Sequence, residues 1–458
     1  MIHVLMSFWE ARFVQRQDDT AHAIRNTSWP TVAIIGLGFI GLPLAMAYAR
    51  KGSRVIGVDI NKAHVKRLQQ GKTTSIETYE GHTLEHYLQN AISQNNFIAT
   101  TDFSVAAREA DAFIVTVGIP ILDGKPLYDA IDAATDALAK VIKPGDLLLY
   151  RSTHIPGTLR NHVIPLLKKV SSLDIEHDVH IAYAPERVAE GRAMEEFQTV
   201  DVLVGGLNDA STAHAIEVLR TINQASLHAT TIEMAETVKV VENVQRDVNI
   251  AMMQEIARFA QNMGLSTPEL VGLANTHPRV NLLTPGAGVG GYCIPNAFHY
   301  LQVKAEDMGI ELPLLAMSRD INQRVPITIL DRIERASGWQ ASTWQGKKVT
   351  VLGLAMKNYS NDDRLSPSVA LIDELLRREA DVTAFDPLVA LEPYAYARAS
   401  LEDALQDAEV VIVTVRQHAW DRFSVEDIRR LAPPCRLIFD ACSALATDQD
   451  RSISLLRV

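Results

Sequence analysis

The stretch from Thr31 to Asn61, TVAIIGLGFIGLPLAMAYARKGSRVIGVDIN, decides the fold. Val32 to Ile35 has the length and apolar character of a buried strand. Gly36-Leu37-Gly38-Phe39-Ile40-Gly41 comes next, then an apolar helix and a second strand, Arg54 to Val58, that ends at Asp59. G-x-G-x-x-G alone is weak. Here a strand precedes it, a helix follows it, and an acid stands 18 residues beyond the last glycine. That context predicts a dinucleotide-binding βαβ unit. Gly36 permits the tight turn, Gly38 admits a pyrophosphate, and Gly41 lets helix and strand pack, with Phe39 and Ile40 completing the loop. The helix N-terminus then faces the phosphates. Asp59 would accept the ribose hydroxyls and repel a 2′-phosphate, which favours NAD over NADP. The alternative is a tight βα turn that holds no ligand.

Strand and helix signals continue to alternate. Asp111–Pro120 (DAFIVTVGIP) and Asp146–Thr158 (DLLLYRSTHIPGT) are apolar strands with polar ends, where Thr116, Ser152 and Thr153 stand. Ligands of open parallel sheets bind beyond such ends, although hydroxyls there also cap helices. The run HIAYAPERVAEGRAMEEF adds a strand and puts Glu186, Arg187 and Glu190 on a loop. A long helical pattern runs from Thr231 to about Gly264, with Met234, Val238, Val241, Val248, Met252, Ile256, Phe259 and Met263 at helical spacings. Lys239 and Asn243 are four apart, on one face, and by spacing alone that face can simply be solvated. From about Pro326 a second alternating region contains a degenerate glycine turn, Gly353-Leu354-Ala355. The expected class is α/β: two Rossmann-like doubly wound domains joined by a central helical dimerisation region. The expected division is an arm of unassigned role over 1–30, a cofactor domain over 31–215, a helical centre over 216–325 and a second Rossmann-like domain over 326–458.

Composition narrows the classes. The 458 residues are 47% hydrophobic and 22% charged, with net charge −11, which disfavours nucleic acid as the main partner. Three cysteines, Cys293, Cys435 and Cys442, make neither a disulfide framework nor a zinc spacing, and no metal is expected. A reducing cytoplasm fits that usage. No apolar run approaches membrane-spanning length, and the opening residues make a poor signal peptide.

The stretch GAGVGGYCIPNAF, Gly286 to Phe298, surrounds Cys293 with glycines that allow close backbone approach. Taken alone, Cys293 is either a nucleophile or a buried structural cysteine. The chain resembles the UDP-glucose/GDP-mannose dehydrogenase family from about Thr31 to Ala441. The resemblance rests on IIGLGFIGLPLA, RSTHIPGT, YAPERVAEGRAMEE, KVVENVQRDVNIAMMQE, HPRVNLLTPGAGVGGYCIP, GLAMKNYSNDDRLSPS and AFDP. The ENVQRDVN and GVGGYCIP runs look most like the branch that oxidises UDP-N-acetylhexosamines, such as UDP-N-acetylmannosamine or UDP-N-acetylglucosamine. The resemblance implies a double oxidation of the sugar C6 alcohol to a carboxylate with two NAD reduced, for surface polysaccharide. It makes Cys293 the nucleophile, Lys239 and Asn243 the groups that steady the oxyanion, and Glu186 and Thr153 the holders of water. It gives Thr116, Thr153 and Arg364 to the cofactor, and Arg187, Glu190, Lys239, Asn243, Arg279, Gly290 and Lys357 to the UDP-sugar. The Arg279 counterpart reaches across a dimer interface in the family, so a homodimer or higher homo-oligomer is implied.

Two departures stand out. The family carries an aspartate four residues after the cysteine, where this chain has Ala297, and Leu365 stands where the family usually has glutamate. Two competing readings follow: a modified oxidoreductase with another nucleotide sugar or an incomplete oxidation, and a catalytically silent nucleotide-sugar binding protein.

Overall fold

The computed structural model describes residues 29–122, 124–446 and 453–457; the arm expected over 1–30 lies outside the described residues, apart from Trp29 and Pro30. The first lobe is one sheet of eight strands: β1 (Val32–Ile35), β2 (Val55–Val58), β3 (Phe97–Thr100), β4 (Ala112–Val115), β5 (Leu147–Tyr150), β6 (His180–Tyr183), β7 (Val202–Gly206) and β8 (Leu227–Thr230). Their spatial order is β8-β7-β6-β5-β4-β1-β2-β3. Pairing is parallel except between β6 and β7. Val32 and Ile34 of β1 enter one apolar layer, and Ala33 and Ile35 enter the opposite one. Both faces are therefore covered, as a parallel sheet requires. The strand order reverses at β1, which brings the glycine loop, Asp59 and Thr116 to the same sheet edge. The glycine loop leads into helix α1 (Gly41–Arg50).

The first lobe extends beyond the boundary expected at 215. That position falls inside the helix Asp209–Arg220, and β8 beyond it pairs in parallel with β7. The strand's sequence, LHAT, is short and half exposed, with a single large apolar residue, so it carries little apolar signal; pairing with β7 places it.

Helix α2 (Ile232–Asn262) then runs 31 residues through the helical centre, capped by the Thr231 hydroxyl on Met234 N–H. Its inward face mixes apolar residues such as Ile232, Val240, Val244 and Met253 with polar ones, and a second apolar stripe faces outward. Met234, Val241, Met252, Phe259 and Met263 are exposed. Glu236, Lys239, Asn243 and Asp247, spaced three, four and four apart, are buried. The solvated face that spacing allowed for Lys239 and Asn243 is thus the inward face. Helices α3 (Cys293–Asp307) and α4 (Pro313–Gln323) pack on it.

The second lobe follows α5 (Val325–Ser337). It contains β9 (Lys348–Leu352), β10 (Asp381–Phe385), β11 (Val410–Val413), β12 (Leu437–Asp440) and β13 (Ser454–Arg457), ordered β10-β9-β11-β12-β13 and all parallel. Val349 and Val351 pack with Ile329, Leu330 and Ile333 of α5, while Leu352, Val411 and Val413 face the other layer. The molecule is α/β, with two doubly wound Rossmann-like lobes about a helical centre. Among the described residues no helix is long and apolar enough to cross a membrane.

Candidate active site

The glycine loop has the geometry a dinucleotide needs. Gly36 has φ +94°, and a Cβ at Gly41 would collide with the Gly36 carbonyl oxygen. A Cβ at Gly38 would meet nothing within 4 Å, so the loop is open where a pyrophosphate would approach the start of α1. The Asp59 carboxylate accepts Leu37 N–H at 2.9 Å and Asn61 N–H at 2.8 Å, which sets it beside the loop. The Thr116 hydroxyl contacts the Ile35 and Gly36 carbonyl oxygens at 3.0 and 2.9 Å and buttresses the turn from below. Ile40 packs on the core, while the Phe39 ring faces the Arg364 guanidinium, 4.4 Å from its centroid.

The second lobe repeats this device in closed form. Gly353 has φ +103°, and the Thr414 hydroxyl contacts the Leu352 and Gly353 oxygens. Asp386 accepts the N–H groups of Leu354, Ala355, Leu388 and Val389, together with the Gln417 amide. Buried behind these donors, Asp386 is out of reach of a ribose.

The loop Arg151–Leu159 is pinned to α2. Glu236 and His154, both 0% exposed, lie 3.2 Å apart. Glu236 also accepts Gly157 N–H at 2.6 Å and Leu159 N–H at 2.9 Å. Thr153 is half-buried on this loop, and among the described residues its hydroxyl has no partner. Glu186 is held by Arg151, whose Nη2 lies 2.7 Å from Oε2, and by the N–H groups of Arg187 and Val188 on Oε1.

One turn beyond Glu236, Lys239 is buried, and among the described residues it donates no hydrogen bond. Burial pushes its ammonium below the usual lysine value, opposed by the neighbouring Cys293 and lowered further by Arg246. Asn243 donates to the Cys293 carbonyl at 3.4 Å and accepts from Arg246. Cys293 is exposed and opens α3. The structure therefore gathers Cys293, Lys239, Asn243 and Glu186 at the inward face of α2, where Arg246, Glu242 and Glu186 are all close enough to act on Lys239.

The remaining expected residues lie elsewhere or are already engaged. Arg187 pairs with Glu242 at 2.6 Å and donates to the Asp201 carbonyl, so its guanidinium binds protein. Lys357 reaches across the lobes to the Glu190 carbonyl at 2.9 Å. A Cβ at Gly290 would lie 2.7 Å from the Leu365 carbonyl oxygen and 2.8 Å from Met356 Cβ. The close approach at Gly290 is thus to the second lobe, and its missing side chain is required by packing there. Arg279 is exposed, and among the described residues only its backbone N–H is bonded, to His277. Sequence reasoning missed Arg151, Glu236, Glu242, Arg246 and Asp362. Glu236, Glu242 and Arg246 had a visible signal, each three residues from Lys239 or Asn243 on the helix.

At the seam of the lobes, Arg364 holds Asp362 through Nε at 2.8 Å and Nη2 at 2.6 Å, and lies over the Tyr292 ring as well as Phe39. Burial and the adjoining Asp362 carboxylate push Glu190 up to about 7.

Comparison with known proteins accords with this geometry. Residues 30–223 match the NAD binding domain of the UDP-glucose/GDP-mannose dehydrogenase family, 233–324 its central domain and 350–447 its UDP binding domain. UDP-N-acetyl-D-mannosamine dehydrogenase of Methanocaldococcus jannaschii is 31% identical over 412 residues, 89% of this chain and 90% of that one. NDP-N-acetyl-D-galactosaminuronic acid dehydrogenase of Ralstonia nicotianae is 31% identical over 410 residues, 87% of this chain and 93% of that one. The structure of UDP-D-ManNAc dehydrogenase from Pyrococcus horikoshii superposes with a TM-score of 0.83 at 28% identity, covering 93% of this chain and 99% of that one. The fold and its open glycine loop define an NAD-dependent oxidoreductase. More particularly, the chain belongs to the UDP-glucose/GDP-mannose dehydrogenase family and is an NAD-dependent nucleotide-sugar dehydrogenase.

Glu190 yields a test by titration. Its folded value is raised from 4.5 to about 7, so the folded chain keeps a proton that the unfolded chain has released. The Glu190 contribution to stability should be full below about pH 4.5, fall by up to about 1.4 kcal/mol per pH unit as pH rises, and level off above about 7. Urea midpoints across pH 4.5–8 should show this decline in the parent, and Glu190→Gln should flatten it.

Proposed function

We propose that this chain oxidises the C6 alcohol of a UDP-N-acetylhexosamine to the uronic acid in two steps through Cys293, supplying a precursor for surface polysaccharide. The observation that carries the reading is the exposed Cys293 at the start of α3, with Asn243 on its carbonyl and Lys239 buried beside it. The relatives named for N-acetylmannosamine and N-acetylgalactosaminuronic acid nucleotides support the substrate class.

Bound NAD supplies the hydride acceptor. The chain's own residues do the rest. As hydride leaves C6 the alcohol's proton passes to solvent, and the Cys293 thiolate adds to the resulting aldehyde. Lys239 and the Asn243 amide steady the charge that develops on oxygen, acting as donors already in place. Loss of a second hydride from the thiohemiacetal, for which a second NAD would be the acceptor, and of its hydroxyl proton to solvent leaves a thioester. Water then forms the new C–O bond, the C–S bond breaks, and Thr153 and Glu186 hold that water. Gly38 and the start of α1 receive the pyrophosphate, and Asp59 takes the ribose hydroxyls. Lys357 and Arg364 serve the seam where the UDP-sugar and cofactor meet.

Ala297 favours a second reading, slow release. Its methyl is fully buried in an apolar cluster with Ile155, Val240, Val244 and Tyr300. The niche has been repacked without charge, so the family's carboxylate has no direct substitute there. We therefore expect two NADH per sugar with the thioester accumulating on Cys293. Stopped-flow absorbance and intact-protein mass over a panel of UDP-sugars read both. Cys293→Ser should abolish the adduct. Full activity in Cys293→Ala would make Cys293 structural, one NADH per sugar would mean arrested oxidation, and none from any UDP-sugar would favour a silent binding protein.

The cofactor preference rests on Asp59. Asp59→Ala should weaken NAD binding by about tenfold, the loss of a charged hydrogen bond, and narrow the margin over NADP. A parent protein that prefers NADP would refute the assignment.

We further propose that the exposed stripe Met234, Val241, Met252, Phe259 and Met263 meets a second copy of the chain, since an apolar face this long is unusual on a monomer. Sedimentation should give a dimer mass or a higher multiple, and Phe259→Lys with Met263→Lys should lower it. A monomeric parent would dismiss the interface.

A further inference from the structure

We propose that Arg151 is the positioning residue of Glu186: from the end of β5 it fixes the carboxylate in the orientation that lets Glu186 and Thr153 receive the water that frees product from Cys293. The inference rests on the role given to Glu186 above.

The two residues are joined twice. Arg151 Nε and Nη2 donate to Glu186 Oε2 at 3.1 and 2.7 Å, and Glu186 N–H donates to the Arg151 carbonyl at 2.9 Å. Oε1 is held separately, by Arg187 N–H at 2.9 Å and Val188 N–H at 3.2 Å. Four N–H donors thus fix both oxygens, and the planar guanidinium fixes their direction as a lysine could not.

The pair is a poor device for stability. Arg151 is 2% exposed, and among the described residues it meets no carboxylate except Glu186. Its Nη1 is buried and, among the described residues, has no partner. Desolvating such a pair costs about as much as its attraction returns, and apolar replacements are often as stable. A buried cation with one partner and an idle N–H is better accounted for by what it orients. Thr153 lies two residues along the same loop, which Glu236 clamps to α2. Arg151 therefore sets where the Glu186 carboxylate stands relative to the Thr153 hydroxyl. Only hydrolysis should depend on it: water's oxygen bonds to the thioester carbon, sulfur leaves as thiolate, and both of water's protons pass to solvent, leaving the carboxylate. Neither hydride transfer uses this pair.

The test is burst kinetics on the full chain with NAD and the best UDP-sugar, read by stopped-flow NADH absorbance and intact mass. In Arg151→Gln the first-turnover burst should stay within about twofold of the parent while the steady-state rate falls about tenfold or more, with more adduct on Cys293. Arg151→Lys should fall between, because it keeps the charge without the fork. In a Glu186→Gln background, Arg151→Gln should add less than about twofold. Equal loss of burst and steady state, or full additivity in the double variant, would overturn the proposal and leave Arg151 structural. If Arg151→Gln does not fold, Arg151→Lys replaces it in both measurements, and the same outcomes support or overturn the role. A parent that forms no Cys293 adduct with any UDP-sugar would instead overturn the covalent reading itself, and this role with it.

Discussion

The wholly buried carboxylate of Glu236 ties the end of the first sheet to the long helix. It faces the His154 ring and accepts two N–H groups from the loop that carries Arg151 and Thr153. Unpaired, such a charge would be strongly destabilising; satisfied, it fixes the register between loop and helix. Lys239, Asn243 and Asp247 follow on the same face. Asn243 meets Cys293, and Asp247 is bound by Arg319 at 3.1 Å and Asn322 at 2.7 Å from α4. Burial pushes the Asp247 carboxyl up, and Arg319 opposes that. One polar ladder thus anchors the loop of Arg151 and Thr153, the cysteine helix and the helical centre together. A second apolar stripe of the helix, Met234, Val241, Met252, Phe259 and Met263, is left outside.

The two lobes show how one backbone device can be open or closed. In each, a positive-φ glycine after the first strand is backed by a threonine hydroxyl and an aspartate, Thr116 with Asp59 and Thr414 with Asp386. Asp59 accepts two N–H groups and remains at the surface of the loop. Asp386 accepts four and is sealed. The first arrangement can still recognise hydroxyls; the second only holds its own turn. The family's division into an NAD binding and a UDP binding domain follows the same asymmetry.

The seam between the lobes is where the glycines near Cys293 do their packing. Gly290 and Gly291 lie against Met356 and Leu365, and Gly291 N–H donates to the Arg364 carbonyl at 2.8 Å. Arg364 in turn stacks on Phe39 of the cofactor loop and Tyr292 beside the cysteine. Cofactor loop, cysteine loop and second lobe therefore share one side chain, so each is positioned partly by the others. Leu365 holds φ +48°, a costly conformation for a branched side chain, with its carbonyl turned toward Gly290.

Much was legible in the sequence because it is local. Strand β1, the glycine loop and Asp59 follow from contiguous apolar and conformational rules, and the extent of α2 follows from a sustained helical period. The motif around Cys293 was equally plain, as was the loss of a carboxylate at Ala297. Which face of α2 turned inward was not, since its apolar stripe suggested burial and its polar residues suggested solvent. Nor was β8, whose short, half-exposed sequence is a strand because it pairs with β7. Arg151 and Glu186 are 35 residues apart, and nothing in either segment announces the other. Periodicity reports the conformation of a segment and the chemistry it carries. Which charge meets which, and which face is taken from water, depends on contacts between segments far apart in the chain, and those exist only after the lobes have packed.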